Sequence, residues 1–355
     1  MISPKCIFAE SNSFDPYFNL SFEKYLFDNV QEGEIVFYLW QNEKTVVIGR
    51  HQNAYKECNV TSLYGLGGKI ARRYSGGGAV FHDKGNLNFS IITKDELFDV
   101  KKQLNVLIMA LDQFGVHAEF TGRNDVTVLG KKFSGNAFRK SNGTSCHHGT
   151  IMINVDDVIL QSALNVSREK LDSKGVDSVS SRVINLHDLL EDITVDSMKV
   201  ALKDAFLHEY GADSFKETIL VGGKDVITGT GTSSWSAAGS MLTMLKGLAE
   251  ERQHLKSTDW IFGKNKEFTN VIEKRFDWGE VSMNFVVEGD QIKDVEIYSD
   301  CLFPNFIERI EQELKGHLYI YSDIANTIDF GATKFDGIDL TKYATELKEL
   351  IAQNI

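Results

Sequence analysis

The sequence predicts a mixed α/β (α+β) fold in two parts, a large domain built on a mixed sheet followed by a small α+β domain. Three observations carry this. The chain has 355 residues, which favours two domains. Short apolar strand-like runs alternate with helical patterns through its first two thirds. After an aromatic and polar stretch, STDWIFGKNKEFTN at 257–270, the pattern restarts as a hairpin followed by helices. The boundaries that follow are 1–260, a linker at 261–267, and 268–355.

Each element has its own local reason. Asp15-Pro16 before YFNLSFEKYLFDNV reads as an N-cap and a proline at the first helical position, with Phe18, Phe22, Tyr25 and Leu26 on the apolar face. EIVFYLW (34–40) and TVVIG (45–49) read as buried strands joined by the turn QNEK. KIARRYS, AVFH and NLNFSIIT continue the strand pattern, and 99–114 has helical periodicity closed by Gly115. HAEFT, DVTVL, KKFSGNAF and CHHGTIMINV read as further strands, leading to a helix near 156–164. Residues 171–191 read as a long loop before a short helix, and helices follow near 194–209 and 236–254. In the second part VSMNFVVEG and QIKDVEIYS form a hairpin across Gly289-Asp290, with helices near 304–315 and 340–353.

Composition narrows the function. Net charge is −12, which argues against a general nucleic-acid binder but leaves room for a nucleotide in one local basic pocket. The four cysteines, Cys6, Cys58, Cys146 and Cys301, are scattered without a C-x-x-C pair, so neither a disulfide framework nor a zinc site is suggested. A reducing compartment fits best. No apolar run approaches the ~20 residues that span a bilayer, and no secretory signal is evident, so no membrane is implied.

The unusual stretch is RRYSGGGAVFHD, beginning at Arg72. Glycine weakens a strand, so something needs to approach this backbone closely. A P-loop requires Lys-Ser or Lys-Thr, but Gly68-Lys69 and Gly223-Lys224 are followed by Ile70 and Asp225. A dinucleotide fingerprint must open a helix, and this stretch leads into more strand-like sequence. On the residues alone, an anion-binding loop with Arg72 and Arg73 as fixed charges and a plain glycine hairpin with two surface arginines remain equally open.

RRYSGGGAVFHDKGNLNFS closely resembles the signature of the lipoate–protein ligase A family, within the biotin–lipoate ligase superfamily. Four further stretches resemble that family in the same order: VVIGRHQNAYKECN (46–59), GRNDVTVLGKKFSGNAFR (122–139), HHGTIMIN (147–154) and KGVDSVSSRV (174–183). RFDWGEVSMNFVVEGDQI is similar to the family's accessory-domain hairpin, so the resemblance covers nearly the whole chain. It implies a lipoate/biotin-ligase-like catalytic domain and a C-terminal accessory domain. It also implies a reaction: lipoate and ATP, with Mg²⁺, give lipoyl-AMP and pyrophosphate, then a lysine of an acceptor lipoyl domain takes the lipoyl group.

The resemblance implies roles for particular residues. Lys132 is the expected catalytic cation; as bare sequence it also fits an exposed hairpin lysine. Strict alternation through FSG puts Lys132 and Ser134 on one face. Arg73, Ser75, Gly76, Gly77, Gly78, Ala79, Phe81, His82, Asn124, Asp125, Ala137 and Arg139 complete the expected ATP and lipoyl-AMP site, with Asp125 the expected Mg²⁺ residue. Leu20, Trp40 and His148, with Arg73, Gly78 and His82, are the expected lipoate pocket; Leu20 and Trp40 equally fit core packing. His147 and His148, adjacent in a strand, point to opposite faces and make a poor metal pair. Tyr74 stands where relatives commonly carry an arginine.

The implied partners are lipoyl domains of 2-oxoacid dehydrogenase E2 subunits and the glycine cleavage H protein, modified by an enzyme expected to be a monomer. The expected location is cytoplasmic, or the mitochondrial matrix in a eukaryote. Two rivals share the architecture: a lipoyltransferase that uses preformed lipoyl-AMP, and a cysteine-dependent octanoyl or lipoyl acyltransferase. The second needs a nucleophilic cysteine, for which Cys146 is the candidate near a motif.

Overall fold

The structure is a computed structural model that describes residues 4–121, 124–165, 182–211, 215–221, 227–230, 238–263, 266–328, 334–335 and 338–355. The expected loop at 171–181, most of the KGVDSVSSRV motif, and Gly122-Arg123 of the GRND segment lie outside the described residues. The chain divides into two compact units. The first contains 1–48, 54–73 and 79–261; the second contains 49–53, 74–78 and 262–355.

In chain order the first unit runs β1 (Lys5–Ser11), α1 (Pro16–Asn29), β2 (Glu34–Trp40), β3 (Thr45–Ile48), α2 (Ala54–Glu57), α3 (Val60–Gly65), β4 (Lys69–Arg72), β5 (Val80–His82) and β6 (Asn86–Lys94). It continues through α4 (Val100–Asp112), β7 (Glu119–Thr121), β8 (Asp125–Val128), β9 (Lys131–Ser141), β10 (Thr144–Met152), α5 (Asp157–Ala163), α6 (Val195–Tyr210), β11 (Phe215–Val221), β12 (Ile227–Thr230), α7 (Ala238–Lys256) and α8 (Thr258–Phe262). The main sheet has the order β12-β11-β1-β2-β6-β10-β9-β8-β7. It is parallel where β1 meets β2 and β11, and antiparallel from β2 through β6, β10 and β9. A small sheet, β4-β3-β5, stands apart from it.

The alternation of β6 explains how the main sheet is used. Leu87, Phe89 and Ile91 point into a core with Phe37 and Leu39 of β2, Leu104, Leu107 and Leu111 of α4, and Leu202 and Phe206 of α6. Each such side chain removed from water stabilises the fold by roughly 1.5–3 kcal/mol. The intervening residues Asn86, Asn88 and Ser90 are polar yet almost fully buried, so the opposite face is covered as well.

Two local expectations meet a different arrangement. Asp15 sits at the N-cap of α1 but makes no capping hydrogen bond. Its carboxylate instead accepts from Lys69 Nζ at 3.0 Å and from Arg252 Nε at 2.8 Å, tying α1 to β4 and α7. In β9 a bulge interrupts strict alternation: Thr127 pairs with Lys132, whereas Val126 pairs with Ser134. A Cβ placed on Gly135 would lie 2.8 Å from Lys132 Nζ, so Lys132 shares its side of the sheet with Gly135 and not with Ser134.

The second unit is a three-stranded antiparallel sheet, β13 (Asn270–Phe276), β14 (Gly279–Glu288) and β15 (Gln291–Ser299), packed by α9 (Pro304–Leu314), α10 (Tyr321–Ile328) and α11 (Thr341–Asn354). The hairpin turns at Gly289, whose φ of 60° lies in the left-handed region glycine tolerates. Apolar periodicity predicts α9 and α11; α10, eight residues long, stands between them.

Candidate active site

One face of the main sheet gathers several of the expected site residues of the first unit. From β2 come Tyr38 and Trp40, stacked with ring centroids 6.0 Å apart. Register places Ser90 beside Tyr38, Asn88 beside Trp40, His148 beside Ser90, Ala137 beside His148 and Arg139 beside Cys146. Trp40 Nε1 donates to Ser90 Oγ at 3.1 Å, and Ser90 Oγ donates in turn to Glu23 Oε1 of α1. His148 Nδ1 contacts the same Glu23 oxygen at 2.8 Å. Burial pushes the Glu23 carboxyl upward, but His148, Ser90 and Arg139 together outweigh it and hold the group below its ordinary value. A carboxylate is thereby kept ionised inside the protein.

His147, one residue earlier, faces the other way. Its ring lies among Gln103, Asn136, Phe89 and Phe138, with Nε2 at 2.8 Å from Asn136 Oδ1. Burial depresses it to about 3, with His148 adding, so it is neutral. Asn136 extends this network to Asn124, with main-chain and side-chain bonds in both directions at 2.8–3.1 Å. Asn124 is therefore fixed at the start of β8.

Asp125 follows it, and Lys132 Nζ lies 2.6 Å from Asp125 Oδ1, both side chains about one third exposed. The Lys132 backbone is pinned by bonds from its N–H to Arg182 O and from Ile184 N–H to its O. Gly135 gives the lysine room to lie back along the strand, and the Gly135 N–H donates to Thr150 Oγ1 at 3.2 Å. Thr150 belongs to the polar face, two residues beyond His148. Arg139 places its guanidinium 4.1 Å from the centre of the Phe27 ring.

The arginine pair divides its work. Arg72 does not serve as the second anion clamp that the sequence left open. Its Nε donates to Trp260 O at 2.7 Å and its Nη2 to Ile261 O, while Trp260 Nε1 donates to Arg72 O at 3.0 Å. This locks α8 onto β4. Arg73 is buried and donates through Nη1 to Val47 O at 3.0 Å. Burial lowers its pKa to about 10, Glu23 opposes that shift, and it remains a cation at neutral pH.

His82 ends β5 with its ring edge-on to Trp40 at 6.0 Å. It is fully buried, and burial, with Arg73 and His148 adding, depresses it to about 3. Phe81 is buried on the same strand, Leu20 is buried on α1, and Ala79 is half-buried. Cys146 is buried beside Glu23 and His148, and its thiol is pushed well above its ordinary value by burial first and by Glu23 second. Such a thiol is a poor nucleophile.

Ser75, Gly76, Gly77 and Gly78 group with the second unit, where the close approach that the glycines required is visible. Gly77 N–H donates to Cys301 O at 3.1 Å. A Cβ on Gly76 would stand 2.1 Å from Cys301 O, and one on Gly49 would stand 2.1 Å from Gly77 O. Gly77 has φ 88°. Ser75 O accepts from Arg50 N–H at 2.9 Å. Backbone fills the space that the missing side chain leaves at Gly76.

Sequence reasoning passed over Glu23, Asn86, Asn88, Ser90 and Asn42. The signal for three of them was present: NLNFSI alternates polar and apolar through a strand whose two faces are both buried. Asn86 Oδ1 and Asn88 Nδ2 have no partner among the described residues, which leaves one acceptor and one donor open on this face.

The sequence profile described as "Lipoyl protein ligase A/B catalytic domain" matches residues 15–207, and "Bacterial lipoate protein ligase C-terminus" matches 265–351. A protein of Bdellovibrio bacteriovorus named "Lipoate-protein ligase A" is 32% identical over 349 residues, covering 97% of each chain. One of the same name from Blochmanniella pennsylvanica is 36% identical over 316 residues, covering 87% of each. The solved structure described as P. falciparum LipL1 in complex with lipoate superimposes with a TM-score of 0.81 at 29% identity, over 98% of this chain and 99% of that one. A structure described as lipoate-protein ligase A bound with ATP shares the fold at a TM-score of 0.57 and 20% identity, over 74% of this chain and 99% of that one. These matches define a ligase. The chain belongs to the lipoate–protein ligase A family.

Proposed function

We propose that this enzyme is a complete ATP-dependent lipoate–protein ligase. A lipoate carboxylate oxygen attacks the α-phosphorus of ATP, the bond to the β,γ-phosphates breaks, and pyrophosphate leaves. The acceptor lysine amine then attacks the acyl carbon of lipoyl-AMP, an amide forms, the amine loses a proton and AMP departs. The observation that carries the reading is Lys132, a cation held at the end of a buried polar sheet face by Asp125. Charge accumulates on phosphate and acyl oxygens in both steps, and a positioned ammonium opposes it.

Other residues bind and orient. Arg73 supplies a buried positive charge for the carboxylate or phosphate. Trp40, Leu20 and His148 line the lipoate side, and Ala137, Arg139 and Asn124 with Ala79 and Phe81 serve the adenylate side. Asp125 fits a Mg²⁺ role, being a single, partly exposed carboxylate that an ion shared with substrate phosphates can reach. The ion, when bound, neutralises phosphate charge. The burial and raised pKa of Cys146 favour this reading over a cysteine acyltransferase.

The proposed organisation is a catalytic domain at 1–260, a linker at 261–267 and an accessory domain at 268–355. The proposed partners are lipoyl domains of E2 subunits and the glycine cleavage H protein, met by a monomeric enzyme in the cytoplasm. Among the described residues no helix is long and apolar enough to cross a membrane. The test is lipoate-dependent pyrophosphate release from ATP by the purified protein, with and without an acceptor lipoyl domain. Release plus a lipoyl mass gain on the acceptor supports the ligase. Transfer only from supplied lipoyl-AMP converts the reading to a lipoyltransferase.

A further inference from the structure

Asn42 and Asn19 form a hydrogen-bond chain that ends on His82. Asn19 Nδ2 lies 2.9 Å from Ser13 O and 2.7 Å from Gln41 O. Backbone carbonyls only accept, so these two contacts fix which end of the Asn19 amide carries nitrogen. Its Oδ1 correspondingly accepts from Ser11 Oγ at 2.6 Å and from Tyr38 Oη at 3.3 Å. Asn19 Nδ2 also meets Asn42 Oδ1 at 3.0 Å, its two hydrogens being shared among three oxygens. That contact turns the Asn42 Nδ2 toward His82 Nδ1, at 3.1 Å. An amide nitrogen only donates, so His82 Nδ1 accepts. The single proton of a neutral imidazole must then sit on Nε2.

His82 Nε2 is buried and has no hydrogen-bond partner among the described residues. A buried donor without an acceptor is costly, and a chain of three amide and imidazole groups is an elaborate way to create one by accident. Its neighbours indicate what completes it. The ring faces Trp40 edge-on, and its electrostatic partners are Arg73 and His148. A neutral donor beside a buried guanidinium suits an anionic or carbonyl oxygen, and it adds a hydrogen bond without burying a second cation.

We propose that Asn42, oriented by Asn19, is a positioning residue that holds His82 as the Nε2–H tautomer, and that this N–H donates to an oxygen of the lipoate carboxylate and of the mixed anhydride formed from it. The inference rests on the ligase reading above, although its first half can be tested without any ligand.

The experiment uses the full-length protein and three variants, Asn42→Asp, His82→Gln and the double variant. Aspartate keeps the acceptor for Asn19 but offers His82 Nδ1 an acceptor in place of a donor. Long-range proton–nitrogen correlation spectra of the ligand-free wild type should place the His82 proton on Nε2 throughout the range in which an ordinary histidine titrates. In Asn42→Asp a proton should appear on Nδ1, and KM for lipoate in pyrophosphate release should rise on the order of ten- to a hundredfold, more than kcat falls. His82→Gln, whose amide nitrogen reaches where Nε2 lies, should recover most of that affinity, and adding Asn42→Asp to it should cost little more. A wild-type proton on Nδ1 overturns the proposal, as does a moved proton with unchanged lipoate KM. An equal loss from Asn42→Asp in both backgrounds also overturns it, by assigning Asn42 a purely structural role. A wild-type protein that shows the Nε2 proton but no lipoate-dependent pyrophosphate overturns the ligase reading, and with it the assigned oxygen.

Discussion

Lys132 Nζ stands 2.6 Å from Asp125 Oδ1, across neighbouring strands and on the side that Gly135 leaves open. The pair is partly exposed, so it contributes at most about 1 kcal/mol to folding. Lys132→Ala should therefore leave thermal stability nearly unchanged while lowering the rate of lipoyl-AMP formation by two to three orders of magnitude, roughly the loss of one transition-state charge contact. Pyrophosphate release and a melting curve on the same preparation check both halves. A destabilised but active variant would make the lysine structural.

The glycine loop makes a prediction that needs no substrate. Gly76→Ala and Gly49→Ala each place a Cβ 2.1 Å from a backbone oxygen, of Cys301 and Gly77 respectively, where no side chain can swing away. Each should cost about 1–3 kcal/mol. Gly65→Ala, with nothing within 4 Å, should be neutral or slightly stabilising. Chemical denaturation of the three variants decides it.

Two histidines should set the acid limit of the fold. His82 and His147 both have folded pKa values depressed to about 3, against an ordinary value of 6.5. The unfolded chain takes up these protons as pH falls below about 6.5 and the folded chain does not, so stability is lost over the interval from 6.5 down to about 3. Each histidine removes roughly 1.4 kcal/mol of stability per pH unit in that window. Replacing His147 by Gln should flatten the dependence by one proton, whatever it does to stability at neutral pH. Urea denaturation at a series of pH values measures the slope.

Cys146 should be silent. Its buried, fully protonated thiol is expected to resist alkylation in the folded protein and to react on unfolding. Cys146→Ala should keep turnover within a few-fold and cost about 1 kcal/mol for the small cavity. An acyl group trapped on Cys146 by mass spectrometry would reverse this and restore the acyltransferase rival.

Much of this was legible in the sequence. The strands at 34–40 and 86–94, the helix over 100–112 and the 279–299 hairpin follow from apolar periodicity, which local sequence carries directly. What escaped depends on contacts between distant segments. Arg72 reads as a clamp until Trp260, 188 positions away, takes its guanidinium. Asp15 reads as a cap until Lys69 and Arg252 take its carboxylate. Lys132 and Ser134 alternate on paper, and a bulge set by pairing with β8 separates them. Asn42 reads as an ordinary turn residue because its importance lies in the orientation of one amide.

The two-faced character of β6 carries a consequence for inheritance of error. A shift of this strand by one position against its neighbours would send Leu87, Phe89 and Ile91 to the polar face and Asn86, Asn88 and Ser90 into the greasy interior. A single inserted or deleted codon in this nine-residue strand would exchange the two faces beyond the lesion wherever no bulge took up the difference, so the packed core and the polar face would be damaged together.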